Sequence, residues 1–206
     1  YQMLKWPVTT MQLLTHTAGF EDKFYSDSTL DRNHTQSLKQ HLTNYLPKQV
    51  YKPGSLISYS NYGNSLAAFV VESIVDMPFH EYVKQAILTP LNMAHSDYML
   101  DRKTSLPLEH ALARGYKLEN GNNVEQPYTY VHRYPATSML TTSTDMQKLI
   151  EALVTDNEVI TPFMQKLMFK GQFSHSNKLP AMGLAFMEYR RNGGGMMVVI
   201  SAITLN

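Results

Sequence analysis

Two apolar-periodic stretches separated by Met77-Pro78 do most to limit how this chain can fold. Leu66, Phe69, Val70 and Ile74 fall at i, i+3, i+4 and i+8, which lines them up on one stripe of a helix. Phe79, Val83 and Ile87 then recur every four residues, with Tyr82 and Ala86 beside them. Pro78 lacks the N–H that a helix interior needs, so it breaks the first stretch, while its fixed φ suits the first turn of the second. Pro90-Leu91 ends the second stretch. Two amphipathic helices on so short a connection are expected to pack as an antiparallel pair.

The rest of the chain reads as shorter elements around that pair. Thr9 or Thr10 can cap a short helix that begins at Met11, with Met11, Leu14 and their neighbours facing inward and Gly19 available for a left-handed C-terminal cap. Residues 21–33 are polar and turn-rich, and read as a loop. Leu38, Leu42, Tyr45 and Leu46 have helical spacing within 34–46, and Pro47 stops that helix. Asn120-Gly121 marks a turn between two short strands, 113–118 and 124–128. Residues 141–154 form a third strong helix, capped near Ser143 with Asp145 in its first turn, and Thr161-Pro162 opens another that runs through Met168. The pattern turns strand-like over 182–189 and 196–205, on either side of Asn192-Gly193-Gly194-Gly195. The expected class is α+β: a mostly helical lobe over residues 1–180, then strands of an antiparallel sheet over 181–206.

Composition removes several function classes. A length of 206 residues fits one domain, or one lobe of a larger protein, and 43% apolar residues suffice for a buried core. A net charge of +1, without any Lys/Arg-rich block, supports no nucleic-acid partner. The absence of cysteine excludes disulfides, thiolate zinc sites and a thiol nucleophile. The eight histidines never pair at i, i+4 around a carboxylate, so no metal site is expected, and no motif calls for a cofactor. The 13 methionines read as core fillers. Gly193-Gly194-Gly195 lacks the Lys-Ser/Thr and the helix that a phosphate loop needs. No apolar run approaches the ~20 residues of a transmembrane helix.

The chemistry-bearing stretch is Tyr59-Ser60-Asn61, between the Pro53-Gly54 turn and the first long helix. A phenol and a carboxamide two residues apart can point into one cleft. In a functional reading, Tyr59 is a proton-transfer group serving a serine hydroxyl, and Asn61 binds a substrate amide or holds a catalytic lysine. In a plainer reading, Asn61 caps the helix and Tyr59 is half-buried packing. Spacing alone leaves both open. His16 reads as a buried imidazole bonded to backbone at a helix end, with catalytic base as the alternative. No lysine has a serine three residues before it, so the chain holds no Ser-x-x-Lys, and it holds no Gly-x-Ser-x-Gly, Lys-Thr-Gly or His-x-Gly either.

Six segments in order resemble one family, the class C β-lactamase-like serine hydrolases. Leu13-Leu14-Thr15-His16-Thr17-Ala18-Gly19-Phe20 resembles its Leu-Leu-Thr-His-Thr-Ser-Gly-Leu segment. Pro53-Gly54 followed by Tyr59-Ser60-Asn61-Tyr62-Gly63 is similar to its Pro-Gly and Tyr-Ser-Asn block. Pro78-Phe79 through Pro90-Leu91-Asn92-Met93 resembles the next helix and its Pro-Leu-Gly-Met ending, with Asn92 in place of glycine. Ala113-Arg114-Gly115-Tyr116, then Ser138-Met139-Leu140-Thr141-Thr142-Ser143-Thr144-Asp145-Met146, resemble later landmarks, the last without the usual paired glycines. Gly183-Leu184-Ala185-Phe186 resembles the strand that leads to the third motif.

The resemblance implies the serine β-lactamase-like (penicillin-recognising) fold and an acyl-enzyme mechanism on an amide, lactam or ester, as in β-lactamases, D,D-peptidases and penicillin-binding-type esterases. It implies Tyr59 as catalytic, Asn61 as substrate-binding and Thr15-His16 as a structural turn rather than a base, with a small-molecule or peptide substrate and a periplasmic, secreted or membrane-anchored setting. It places Ser-x-x-Lys a few tens of residues before Tyr1 and the third motif after Asn192-Gly193, where Arg191-Asn192-Gly193 only partly stands in. This chain alone is therefore expected not to acylate. A non-catalytic peptide- or cell-wall-binding pseudoenzyme of the same fold is the alternative, and an unrelated helical domain with a chance match is a third reading.

Overall fold

The computed structural model describes residues 4–21, 28–31, 36–98, 112–190 and 196–199. Its longest helix, α3 (Asn61–Val75), is the shared wall of the core. On one side α1 (Thr10–Leu14) supplies Leu13, which joins Ala18, Phe20 and Ala67 in a buried cluster. On the other, α2 (Leu38–Asn44) and α4 (Phe79–Val83) bury Leu38, Leu42, Ala68, Val83, Leu88, Met93, Tyr98 and Tyr134 together. Tyr62 and Leu66 of α3 pack against both clusters. The short helix α5 (Tyr134–Thr137) also leans on α3. Small residues permit these approaches: Ser65 is fully buried, Ala67 and Ala68 nearly so, and the Ser65 hydroxyl donates to the Arg133 carbonyl at 3.4 Å.

α4 runs directly into a π-helical turn, Lys84–Leu88. Thr89 N–H donates to the Lys84 carbonyl five residues back, at 2.9 Å. This wider step brings Leu88, five residues after Val83, into the core, whereas the four-residue spacing of the sequence pointed to Ile87, which is only partly buried. The remaining helices are α6 (Ser143–Val154) and α7 (Pro162–Phe169).

Antiparallel pairs fill in around the helices. β1 (Ser28–Thr29) pairs with β5 (Tyr130–Val131), and β2 (Asp97–Tyr98) with β6 (Met139–Leu140). β3 (Tyr116–Glu119) and β4 (Asn122–Glu125) form a hairpin at the expected Asn120-Gly121 turn, closer to it than the expected 113–118 and 124–128, with both turn residues left-handed, Asn120 at φ 50° and Gly121 at φ 83°. β7 (Met187–Arg190) pairs with β8 (Met196–Val199), Met187 opposite Val199. Helices with small antiparallel sheets make an α+β chain, as the sequence implied. The glycine run 193–195 and the strand extension over 200–205 lie outside the described residues, as does most of the loop read over 21–33.

Several local expectations shift by a residue or two. In α1 Leu13 is buried and Leu14 packs against the same cluster, as expected of the inward set, but Met11 is 44% exposed. The cap of α1 is Thr9, in a reciprocal capping box with Gln12. Ile74 falls in the last turn of α3, which overhangs the packed region, and is 77% exposed. The cap of α6 is Thr142, not Ser143: its hydroxyl accepts from Asp145 N–H at 3.2 Å. Asp145 is fully buried and works elsewhere, accepting from His95 N–H at 2.8 Å, the Ser96 hydroxyl at 2.9 Å and Lys148 Nζ at 2.8 Å. Gly19 has φ 79° but does not cap α1: any Cβ there would run into the Tyr51 carbonyl.

Two non-glycine residues in the left-handed region, Asn92 and Ala185, differ in how well they suit it. Asn92 sits at φ 54°, the left-handed region that asparagine tolerates best after glycine. Ala185 sits at φ 61° with no such excuse. The left-handed penalty of ~1–2 kcal/mol exceeds the ~0.5–1 kcal/mol of extra chain entropy that glycine loses on folding. Ala185→Gly is therefore expected to stabilise the protein by about 0.5–1 kcal/mol, measured by denaturant unfolding; a loss of stability would refute the strain argument.

Candidate active site around Tyr59 and Asn61

The site begins at the end of α1. Thr15 closes the helix, its hydroxyl donating back to the Met11 carbonyl at 2.8 Å and lying 2.9 Å from the Thr17 hydroxyl. His16 then turns into the left-handed region at φ 53°. That reversal exposes two carbonyls to the segment that follows Pro53. Gly54 N–H donates to the Thr17 carbonyl at 2.7 Å, and Ser58 N–H to the His16 carbonyl at 2.7 Å. The stretch 54–60 is thereby laid along the 15–17 turn, and the Ser58 hydroxyl adds a bond to the Phe20 carbonyl at 3.3 Å.

Ser60, not Asn61, caps α3. Its backbone is extended and its hydroxyl accepts from Gly63 N–H at 3.1 Å. Asn61 is the first helical residue, buried, with a carboxamide spared from capping. Its Oδ1 accepts from the Tyr59 hydroxyl at 3.1 Å. The structure thus brings together the two side chains the sequence singled out, and Tyr59 is half-buried beside them.

His16 completes the arrangement. Its ring lies against that of Tyr59, centroids 4.4 Å apart and planes tilted by 35°. Its Nδ1 accepts from Ser60 N–H at 3.3 Å, which puts the remaining ring proton on Nε2. Burial lowers its pKa to about 4, so the ring is neutral near pH 7. The bland sequence reading, a buried imidazole bonded to backbone, describes it well.

Two further contacts were invisible in the sequence. His175 Nε2 accepts from Ile57 N–H at 3.2 Å across 118 residues of chain, and the ring of Phe173 meets His175 edge-on at 5.2 Å. No local signal marks such a pairing. Ala185 N–H donates to the Leu14 carbonyl at 2.9 Å, which sets the 183–186 segment against the same end of α1. Among the described residues no group of histidine and carboxylate side chains could hold a metal ion. Nor is any helix among them long and apolar enough to cross a membrane.

Comparison with known proteins agrees with this frame. The family model described as Beta-lactamase matches residues 4–201, and the chain belongs to that family. The protein named "Putative penicillin-binding protein PbpX" of Bacillus subtilis (strain 168) is 23% identical, over 97% of this chain and 52% of its own length. The octameric penicillin-binding protein homologue from Pyrococcus abyssi superposes with a TM-score of 0.73 at 23% identity, covering 93% of this chain and 46% of that one. The D-amino acid amidase from Ochrobactrum anthropi SV3, complexed with D-phenylalanine, gives 0.69 at 18% identity, covering 92% and 56%. At these identities the structural likeness establishes the fold, that of the serine β-lactamase-like hydrolases. The chain spans about half the length of these relatives.

The buried imidazoles set a pH dependence. His41 of α2 is also lowered to about 4, by burial first and by neighbouring His132 second. An unfolded histidine binds its proton near its ordinary value of about 6.5, so between the two values the unfolded state holds more protons than the folded one. The stability from each neutral ring is complete above about 6.5 and declines as pH falls, until it is gone by about 4. The cost over that window is up to ~3 kcal/mol per group. Denaturant unfolding between pH 7 and 4.5 should show this slope, and His41→Gln should flatten it; an unchanged slope in the variant would assign the effect to other groups.

Proposed function

We propose that the protein containing these residues is a serine hydrolase that works through an acyl-enzyme on an amide, lactam or ester, with Tyr59 as proton-transfer group and Asn61 orienting the substrate. The observation that carries this is the Tyr59–Asn61 pair at 3.1 Å, held at the mouth of α3 with its capping duty transferred to Ser60. Family membership and the amidase neighbour support hydrolysis of an acyl bond.

In this proposal the nucleophile is the serine of a Ser-x-x-Lys segment supplied by sequence ahead of Tyr1. Its hydroxyl adds to the carbonyl carbon as the proton passes to the phenolate of Tyr59, and backbone N–H groups hold the oxyanion. The carbon–nitrogen or carbon–oxygen bond then breaks, and Tyr59 returns that proton to the leaving group. Water releases the acyl group by the same route reversed. A nearby ammonium, that of the motif lysine, favours the phenolate. The Asn61 carboxamide binds the substrate amide or the lysine. D,D-peptidase and esterase activities, and a bacterial envelope setting, are the finer forms of this reading. The 206 residues alone are expected not to acylate, having no Ser-x-x-Lys.

A second reading is a peptide- or cell-wall-binding pseudoenzyme, favoured by the same bond seen differently: Tyr59 spends its hydroxyl proton on Asn61. Treating the full-length protein with a fluorophosphonate or β-lactam probe and weighing it intact separates the two. The hydrolase reading expects one covalent adduct on serine, and Tyr59→Phe slowing acylation by roughly 10²–10⁴-fold without loss of fold. No adduct establishes the binder, and equal rates for wild type and variant remove Tyr59 from the chemistry.

A further inference from the structure

The segment that carries Tyr59 belongs to none of the paired strands, yet its backbone is spoken for. Ile57 N–H goes to His175, Ser58 N–H to the His16 carbonyl and Ser60 N–H to His16 Nδ1. His16 therefore touches three consecutive residues through three different groups: its carbonyl holds 58, its ring face holds 59, and its Nδ1 holds 60. The two hydrogen bonds fix the backbone on either side of Tyr59. The ring, 4.4 Å away, covers one flank of the phenol and limits how it swings about its side-chain bonds. The grip is made from the left-handed turn at residue 16, where carbonyl and imidazole both meet the 58–60 segment.

We propose that His16 is the positioning residue for Tyr59, setting the phenol in the direction that meets Asn61, and takes no proton in the reaction itself. The inference rests on Tyr59 acting in proton transfer as proposed above. It follows from geometry: an imidazole that spends Nδ1 on a backbone N–H and its face on a neighbouring ring is committed to shape. Burial keeps that Nδ1 unprotonated near neutral pH, so the acceptor is always available to Ser60. A displacement of the phenol by about 1 Å is enough to cost up to ~100-fold in rate, so a loose Tyr59 segment would show in kcat and much less in KM.

A double-mutant cycle on the full-length protein tests this, with an ester or amide substrate that it turns over. His16→Asn suits the purpose: asparagine tolerates the left-handed backbone, carries an acceptor oxygen where Nδ1 stood, and deletes the rest of the ring. Alone, it should lower kcat by roughly 10–100-fold with little change in KM. In a Tyr59→Phe background the same substitution should change kcat by no more than about twofold, since its effect runs through the phenol. An equal loss in both backgrounds would mean general disruption and would overturn the proposal while leaving Tyr59 catalytic.

A second readout is independent of turnover: the titration of a ¹³C-labelled Tyr59 phenol. Its midpoint should move in His16→Asn, and an unmoved midpoint counts against positioning. Should Tyr59→Phe keep full kcat, the catalytic reading fails, and this titration still decides the role of His16. His16→Gly, which also suits the backbone at that position, carries both measurements if the asparagine form does not fold.

Discussion

Helix α3 bears on almost every other part of this molecule, because it is packed from two sides at once. Tyr62 and Leu66 are shared between the cluster built on Leu13 and Phe20 and the larger one built on Leu42, Val83 and Leu88. Phe20, with no exposed surface, meets Tyr62 edge-on at 5.2 Å. Burial of such aromatic and aliphatic side chains is worth roughly 1.5–3 kcal/mol each, so a helix that serves two clusters couples them. α1, α2, α4 and α5 each contact α3, and the candidate site stands at its first residue. A site built there inherits the rigidity of the core.

The same helix start explains a division of labour among three adjacent side chains. The first N–H groups of a helix have no partner within it. Ser60 meets that need at Gly63 N–H, which leaves Asn61 free of it. Tyr59, on the extended backbone just before, reaches the Asn61 carboxamide. The turn 15–17 holds the approach from the other side, through the Gly54, Ser58 and Ser60 N–H groups. Two segments some forty residues apart thus make one clamp, and α1 needs to be no longer than Thr10–Leu14 to deliver its half.

Much of this was legible beforehand, and the misses have physical causes. The helices around α3 and α6 were visible because their apolar spacing is long and regular, and the Asn120-Gly121 hairpin because its turn demands left-handed residues. Met11 faces outward although Leu13 and Leu14 pack inward, because five residues carry too little periodicity to orient a helix fully. Ile74 kept the helical spacing but lay past the point where α3 has a neighbour. Ile87 yielded to Leu88 because a π-helical turn changes the step, which no apolar pattern announces. Gly19 suits a cap by residue type, but its real constraint is the backbone of Tyr51 packed against it, a contact across the fold.

By itself the sequence determined the class of the chain, the family, and the two side chains worth examining. Those follow from local pattern and from six motifs in order, and local pattern is written in nearest neighbours. Only the tertiary structure decided how those side chains are used. Spacing could not say whether Asn61 or Ser60 caps α3, because either can accept a helix N–H; packing gave the task to Ser60. Nor could it say that His16 Nδ1 points at Ser60, or that His175 reaches Ile57, because such bonds join residues 44 and 118 positions apart. Hydrogen bonds between distant segments are consequences of how the core closes, and they become fixed only once α3 is buried on both sides.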